Sequence, residues 1–345
     1  MAWAVVILSS LLSLGSALGA SAPADPFAKA SRELYAKAKQ EGEVVIYSVW
    51  DVEHIVKILG AFSKRYPGIK TNYWQGRNPE IITRVLTEFQ AGKGSVDAIL
   101  SDNAPPVIRA AGAIMPYETV QKASLLLHDP TMPVVSLQIQ ALAYNTKKIK
   151  PADLPKSWED VANPRYKGNV ALDDPMRAGP LSTQLAALKG LWNDDARWTR
   201  FVKGLKALGV PVHKSTSAMM RLVIAGEYAL AMPALLHDVV NEMGKGTPVN
   251  LVKTASPIVF PRYAGIYAKA AHPNAAKLLA EWLISTEGQA TLDSLGREAS
   301  RKGFESKTSI GHAYPAGTQP VPVNDKLFLE DPKKWLDANV KPIWG

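Results

Sequence analysis

Arginines, hydroxyls and one tryptophan recur in this sequence where a strand-like run gives way to a helix start, the position in which side chains meet a small ligand. Arg177 lies in Asp173-Asp174-Pro175-Met176-Arg177-Ala178-Gly179-Pro180, between a strand and a helix. It is the leading anion contact, because a guanidinium holds a carboxylate or phosphonate through two parallel hydrogen bonds. Arg77, in Gln75-Gly76-Arg77-Asn78, offers the same clamp or is a solvated loop arginine. Ser48 and Trp50 follow the first strand, and Trp50 either stacks on a planar or apolar ligand group or packs internally. Asp102, in Ser101-Asp102-Asn103, either accepts from a ligand amine or hydroxyl or caps a helix. Ser215 and Thr216 precede a helix containing Met219, Met220 and Leu222. Their hydroxyls and the helix-start N–H groups suit an anionic head group, and a plain cap explains them equally. Tyr263 and Arg262 point to opposite faces if both lie on one strand, so one of the pair is a contact; Tyr263 is the candidate chosen.

No pattern for chemistry on a substrate appears. There is no G-x-S-x-G elbow, H-E-x-x-H helix or G-x-x-x-x-G-K-[ST] loop. The histidines, His54, His128, His213, His237, His272 and His312, show no i, i+4 pair that would make a metal face. The sequence therefore predicts no catalytic residue, no cofactor and no metal site. There are no cysteines, which excludes disulfides, thiolate metal sites and a cysteine nucleophile.

The elements that must place the candidate contacts alternate. Glu43 to Ser48 reads as a strand. Val52 to Tyr66 reads as a helix, with Ile55, Ile58, Leu59 and Phe62 at i, i+3, i+4, i+7, ended by Pro67-Gly68. Ile69 to Trp74 is a second strand, a helix opens at Asn78-Pro79-Glu80 with Asn78 as its cap, and Val96 to Leu100 is a third strand. This order predicts a largely parallel α/β sheet. Pro133 to Tyr144 and Pro257 to Ala268 read as long strands, and helices are expected at 180–190, 193–208, 217–226 and 234–244, with a strand from Tyr228 to Met232. The segment HPNAAKLLAEWLISTEGQ, 272–289, reads as one amphipathic helix with a glycine near its end.

The 345 residues exceed one comfortable core and fit two domains. The expected division is one lobe from 43–133 plus 264–310, a second from 137–260, and a surface-docked C-terminal extension over 311–345. Residues 1–22 carry no charge, an apolar run and an Ala20-Ser21-Ala22 cleavage site, so they read as a removable secretory signal. The net charge of +9 either serves solubility alone or favours anionic ligands, and no arginine-lysine run with interleaved aromatics points to nucleic acid.

Beyond these readings the chain resembles a known family in many short pieces. They are Tyr47-Ser48, Phe62 with Tyr66-Pro67-Gly68-Ile69, Arg84 with Glu88, Ala91-Gly92, Asp97, Gly112 with Pro116-Tyr117, and Tyr144-Asn145-Thr146. Further along come Pro155-Lys156-Ser157-Trp158-Glu159-Asp160, Pro164-Arg165-Tyr166-Lys167-Gly168, Asp174-Pro175, Gly226-Glu227 and the 272–289 helix. In this order they are similar to the periplasmic solute-binding proteins of ABC importers, of the ferric-ion type. The resemblance implies the two-lobed periplasmic binding protein fold (type II), α/β in each lobe, with two hinge strands. It implies a monomer that binds a small solute in the periplasm, delivers it to an ABC permease and does no chemistry on it. Iron-binding members resemble one another in a Tyr-Tyr pair soon after the Gly-Glu strand. Here those positions fall on or near Leu235 and Leu236, and an early metal-ligand position falls near Trp50-Asp51. The expectation is therefore a small organic anion, with ferric iron or a ferric chelate as the alternative.

Overall fold

The computed structural model describes residues 26–345 apart from 254, 307, 309 and 316. The secretory signal expected at 1–22 lies outside the described residues. Twelve strands among the described residues form one continuous sheet: β1 Glu43–Ser48, β2 Lys70–Gln75, β3 Ala98–Ser101, β4 Ile114–Met115, β5 Val134–Asn145, β6 Val170–Asp173, β7 Val212–His213, β8 Leu230–Leu235, β9 Val249–Leu251, β10 Ile258–Tyr267, β11 Glu298–Ala299 and β12 Val321–Pro322. The main order is β2-β1-β3-β10-β5-β8-β6-β7. At one end β2, β1 and β3 are parallel, and at the other β8, β6 and β7 are parallel. Between them β5 and β10 run antiparallel to each other and to their outer neighbours. Residues 263–266 of β10 pair with β3 in the first half of the molecule, whereas residues 140–144 of β5 pair with β8 in the second. The two crossing strands join two α/β lobes.

Helices cover the sheet: α1 Pro26–Glu41, α2 Val52–Arg65, α3 Asn78–Gln90, α4 Ala104–Ala110, α5 Pro180–Trp192, α6 Asp195–Ala207, α7 Thr216–Ala225, α8 Leu236–Gly244, α9 Pro273–Ile284 and α10 Thr286–Ser294. The i, i+3, i+4, i+7 stripe of α2 is the buried one: Ile55, Ile58, Leu59 and Phe62 pack with Trp282 and Leu279 of α9. In the second lobe Leu181, Leu185 and Leu188 of α5 pack with Trp198 and Phe201 of α6 against β6 and β8.

Four details depart from the sequence reading. The 272–289 segment is two helices, broken at Ser285, whose backbone is extended and whose Oγ accepts from the Gly288 N–H at 3.2 Å to start α10. Gly288 lies in the first turn of the second helix rather than near the end of a single one, and glycine is needed there because a Cβ would lie 2.0 Å from the Trp282 carbonyl oxygen. Asn78 is the first residue of α3 and not its cap; Arg77 holds the cap position, and its N–H donates to Glu80 Oε2 at 2.9 Å. The strand expected at 228–232 runs from Leu230 to Leu235, which carries it to the lobe junction. The C-terminal segment is also more than surface-docked. Phe328, Trp335 and Val340 are buried in the core of the second lobe, while Glu330 lies 4.0 Å from Arg109 of α4 in the first.

Candidate functional site

A cavity of about 610 Å3 lies between the lobes, where β1, β3 and β8 end and α2, α3, α7 and α8 begin. Open α/β sheets present ligands beyond the carboxyl ends of their strands, and free N–H groups of helix first turns favour negative charge. Trp50, Asp51 and His54 come from the β1–α2 turn, Asn78 from α3 and Asp102 from the end of β3. Across the gap stand Ser217 of α7 and Leu235, His237, Asp238 and Asn241 around α8. The floor is Arg262 of β10 and Gly296-Arg297 after α10.

Arg297 reaches the floor through the ending of α10. Gly296 sits at φ 70°, its N–H donates to the Asp293 carbonyl at 2.8 Å, and the Arg297 N–H donates to Leu292 at 3.0 Å. That is the glycine-closed helix end that reverses the chain, and it feeds Arg297 and Glu298 into β11. The Arg297 guanidinium lies 4.4 Å over the Trp50 ring and donates to His54 Nδ1 at 3.1 Å. It is 8% exposed, has no carboxylate within ion-pair distance among the described residues, and its Nε has no acceptor. Burial and the nearby Arg262 push its pKa down to about 9, so it remains cationic at neutral pH. His54 is held below its ordinary value by burial and by Arg297, so it stays neutral and accepts from that guanidinium.

Arg262 is engaged differently. Ser136 of β5 lies opposite Arg262 on one side and Ala299 on the other, so the guanidinium passes over β5 to Glu298. Its Nη1 donates to Leu137 O at 3.2 Å and lies 3.5 Å from Glu298 Oε2. Glu298 is fully buried, and its Oε1 accepts from His237 Nδ1 at 2.8 Å. Burial works against charge on His237, but the Glu298 carboxylate outweighs it with help from Asp238, and the pKa rises. Burial likewise works against Glu298, and His237 and Arg262 outweigh it, so its pKa falls. The floor thus carries a held triad, Arg262–Glu298–His237, beside a cation with no acid of its own.

Of the candidates named from sequence, Trp50 and Asp102 line this cavity. Asp102 Oδ1 accepts from Asn78 Nδ2 at 2.9 Å and from the Asn103 N–H at 2.8 Å. Ser48 is buried beneath it, where its Oγ accepts from the Trp50 N–H at 3.0 Å and donates to Leu100 O, fixing the turn. Ser215 caps α7, its Oγ accepting from Ala218 N at 3.2 Å, and in that first turn Ser217 lines the cavity while Ser215 and Thr216 do not. Of the strand pair, Arg262 faces the site, whereas Tyr263 is 3% exposed in the core, and burial raises its phenol pKa strongly. Arg77 and Arg177 line a neighbouring groove. Arg177 pairs with the buried Asp173, Nη2 to Oδ1 at 2.5 Å. Its charge is thereby compensated. Arg177→Ala is expected to cost about 1–3 kcal/mol by stranding that carboxylate while changing anion affinity less than threefold; urea unfolding and calorimetry separate the two effects.

Sequence reasoning missed Arg297, Glu298 and the role of Arg262. The available signal was Leu295-Gly296-Arg297-Glu298-Ala299, a helix-ending glycine followed by two charges and a small apolar residue, which is unusual entry into a buried strand.

Two α/β lobes, two crossing strands and a charged cavity between them define a two-lobed solute-binding protein. The family described as bacterial extracellular solute-binding protein matches residues 52–290, and the chain belongs to it. It is 23% identical over 312 residues to the Fe(3+)-binding periplasmic protein of Serratia marcescens, with 86% of each chain covered. Among solved structures it is similar to iron-bound HitA from Pseudomonas aeruginosa, with a TM-score of 0.70, 20% identity, and 87% of this chain and 99% of that one covered. It is also similar to the periplasmic binding protein AfuA from Actinobacillus pleuropneumoniae, solved with fructose-6-phosphate, with a TM-score of 0.66, 19% identity, and coverage of 87% and 99%.

Proposed function

We propose that this protein captures a small organic anion in the periplasm and hands it to the membrane permease of an ABC importer, without chemical change. The observation that carries the reading is Arg297, a buried guanidinium at the cleft floor with Trp50 beneath it and no carboxylate partner. An oxyanion would supply the missing acceptor, and its charge-assisted hydrogen bonds would form in a partly desolvated site, where they are strong. First-turn N–H groups of α7 and α8 add favourable potential. We assign residues 43–133 plus 264–310 to one lobe and 137–260 to the other, with closure about β5 and β10. Binding drives closure to the extent that the anion prefers the closed state.

The iron-binding names among the relatives favour a ferric reading, and the side chains here oppose it. Leu235 lines the cavity and Leu236 is buried, on or near the positions where the resemblance implies phenols in iron-binding members. Among the described residues no group of three or more His, Asp or Glu is arranged to hold a metal ion. Native mass spectrometry of freshly purified protein is expected to show a small organic adduct that leaves on denaturation. A visible tyrosinate-to-iron charge-transfer band on titration with ferric citrate would overturn the reading.

A further inference from the structure

A second cavity of about 770 Å3 adjoins the first, and its walls are mostly apolar. Ile82 of α3 and Val107 of α4 form one side, and Met176, Pro332 and Leu336 the other. The two cavities meet at Asn78, which lines both, and at the adjacent pair Asp102 and Asn103, one on each side. Asn78 is engaged at both ends of its amide at this seam. Its Nδ2 donates to Asp102 Oδ1 at 2.9 Å, and its Oδ1 accepts from the Ser101 hydroxyl. A hydrocarbon chain crossing there leaves each end of that amide with one hydrogen bond.

We infer that the solute is an amphipathic organic anion, its oxyanion head held at Arg297 and its apolar chain or ring lying past Asn78 in the Ile82–Met176 compartment. This inference rests on the anion-binding reading. The occupant follows from continuity. A site with a guanidinium lacking a direct ion pair at one end and a mostly apolar compartment, rimmed by charged residues such as Arg77 and Lys333, at the other is complementary to a molecule with a charged head and an apolar body. A bare inorganic anion or a metal ion would leave the apolar walls without a partner. The C-terminal segment has a part in this selectivity, since Pro332 and Leu336 supply wall that the two lobes do not.

The test compares methylphosphonate with hexylphosphonate, and acetate with hexanoate, by calorimetry on the full protein. Each methylene buried is worth about fourfold in affinity, so half-burial of the added chain gives roughly a thirtyfold preference for hexylphosphonate, with five added methylenes, and roughly fifteenfold for hexanoate, with four. That preference in either series supports the inference. Ile82→Gln and Met176→Gln, on opposite walls, are expected to cut the hexyl-to-methyl ratio at least fivefold. Arg297→Gln is expected to lower both members of a pair together and preserve the ratio. Equal affinity for short and long chains would overturn the apolar compartment and leave the anion site standing. Failure of every phosphonate and carboxylate to bind would overturn both.

Discussion

Replacing Arg297 by glutamine is expected to weaken anion binding about a hundredfold, the largest loss of any single cleft substitution. Removing one partner of a buried, hydrogen-bonded charge pair costs roughly 2–5 kcal/mol, and each 1.4 kcal/mol is tenfold in affinity. Arg297 meets the condition for a loss within that range, and a hundredfold corresponds to about 2.8 kcal/mol. It is 8% exposed, Glu298 is engaged by His237 and Arg262, Asp102 is engaged by Asn78 and the Asn103 N–H, and Asp51 acts on it only from beyond ion-pair distance. Its charge is therefore only partly compensated, with no direct ion pair among the described residues. Arg262 is the internal comparison, since Glu298 already compensates it and its loss would act on the floor before it acts on the ligand. Arg297→Lys keeps the charge but gives up the planar face over Trp50, so an intermediate loss is expected. Calorimetry with the copurified anion or with hexylphosphonate measures both variants, and thermal unfolding checks that each is folded. Wild-type affinity in Arg297→Gln would remove this residue from the site.

The frame of the molecule was legible because its signals are local. Four apolar residues at helical spacing in 52–66 specify the buried face of α2, and two long apolar runs at 133–144 and 257–268 mark the crossing strands. The lining of the cleft was less so, for reasons that can be named. Every residue of β10 is buried, so alternation of polar and apolar residues gives no facing, and the ladder shifts register between Arg262 and Tyr263, which breaks parity where it mattered. Arg177 was favoured on local context, but the acid that answers it, Asp173, is four residues away and buried, a pairing that depends on the turn between β6 and α5. Arg297 looks in sequence like a solvated charge after a helix. Only the left-handed Gly296 turns it inward, and a glycine in a sequence does not say which way the chain leaves it.

Glu298→Gln is expected to destabilise the folded protein by about 3–5 kcal/mol, the cost of breaking a buried ion pair from one side, and to change the sign of its pH dependence. The reasoning starts from the two partners. His237 has its pKa raised above its ordinary 6.5, so the stability it contributes is full below that value and is lost as pH rises through the folded value. Glu298 has its pKa depressed below its ordinary 4.5, so its contribution is full above that value and is lost as pH falls through the folded value. Between about 4.5 and 6.5 both contributions are complete, and above 6.5 the wild type declines. Glutamine removes the acid that outweighs burial at His237, leaving Asp238 to favour the charge and burial with Arg262 to oppose it. The imidazole then prefers to be neutral when folded, and stability rises with pH through 6.5 instead of falling. Denaturant unfolding at pH 5, 6, 7 and 8 distinguishes the two shapes, and a variant that still declines above 6.5 would mean that Glu298 does not set the His237 charge. The same geometry ties the triad to the lobe junction. Arg262 lies on a crossing strand, Glu298 on the short strand that follows α10, and His237 at the start of a second-lobe helix. A proton gained or lost at His237 therefore acts on the junction of the crossing strands, next to the cation proposed to hold the ligand.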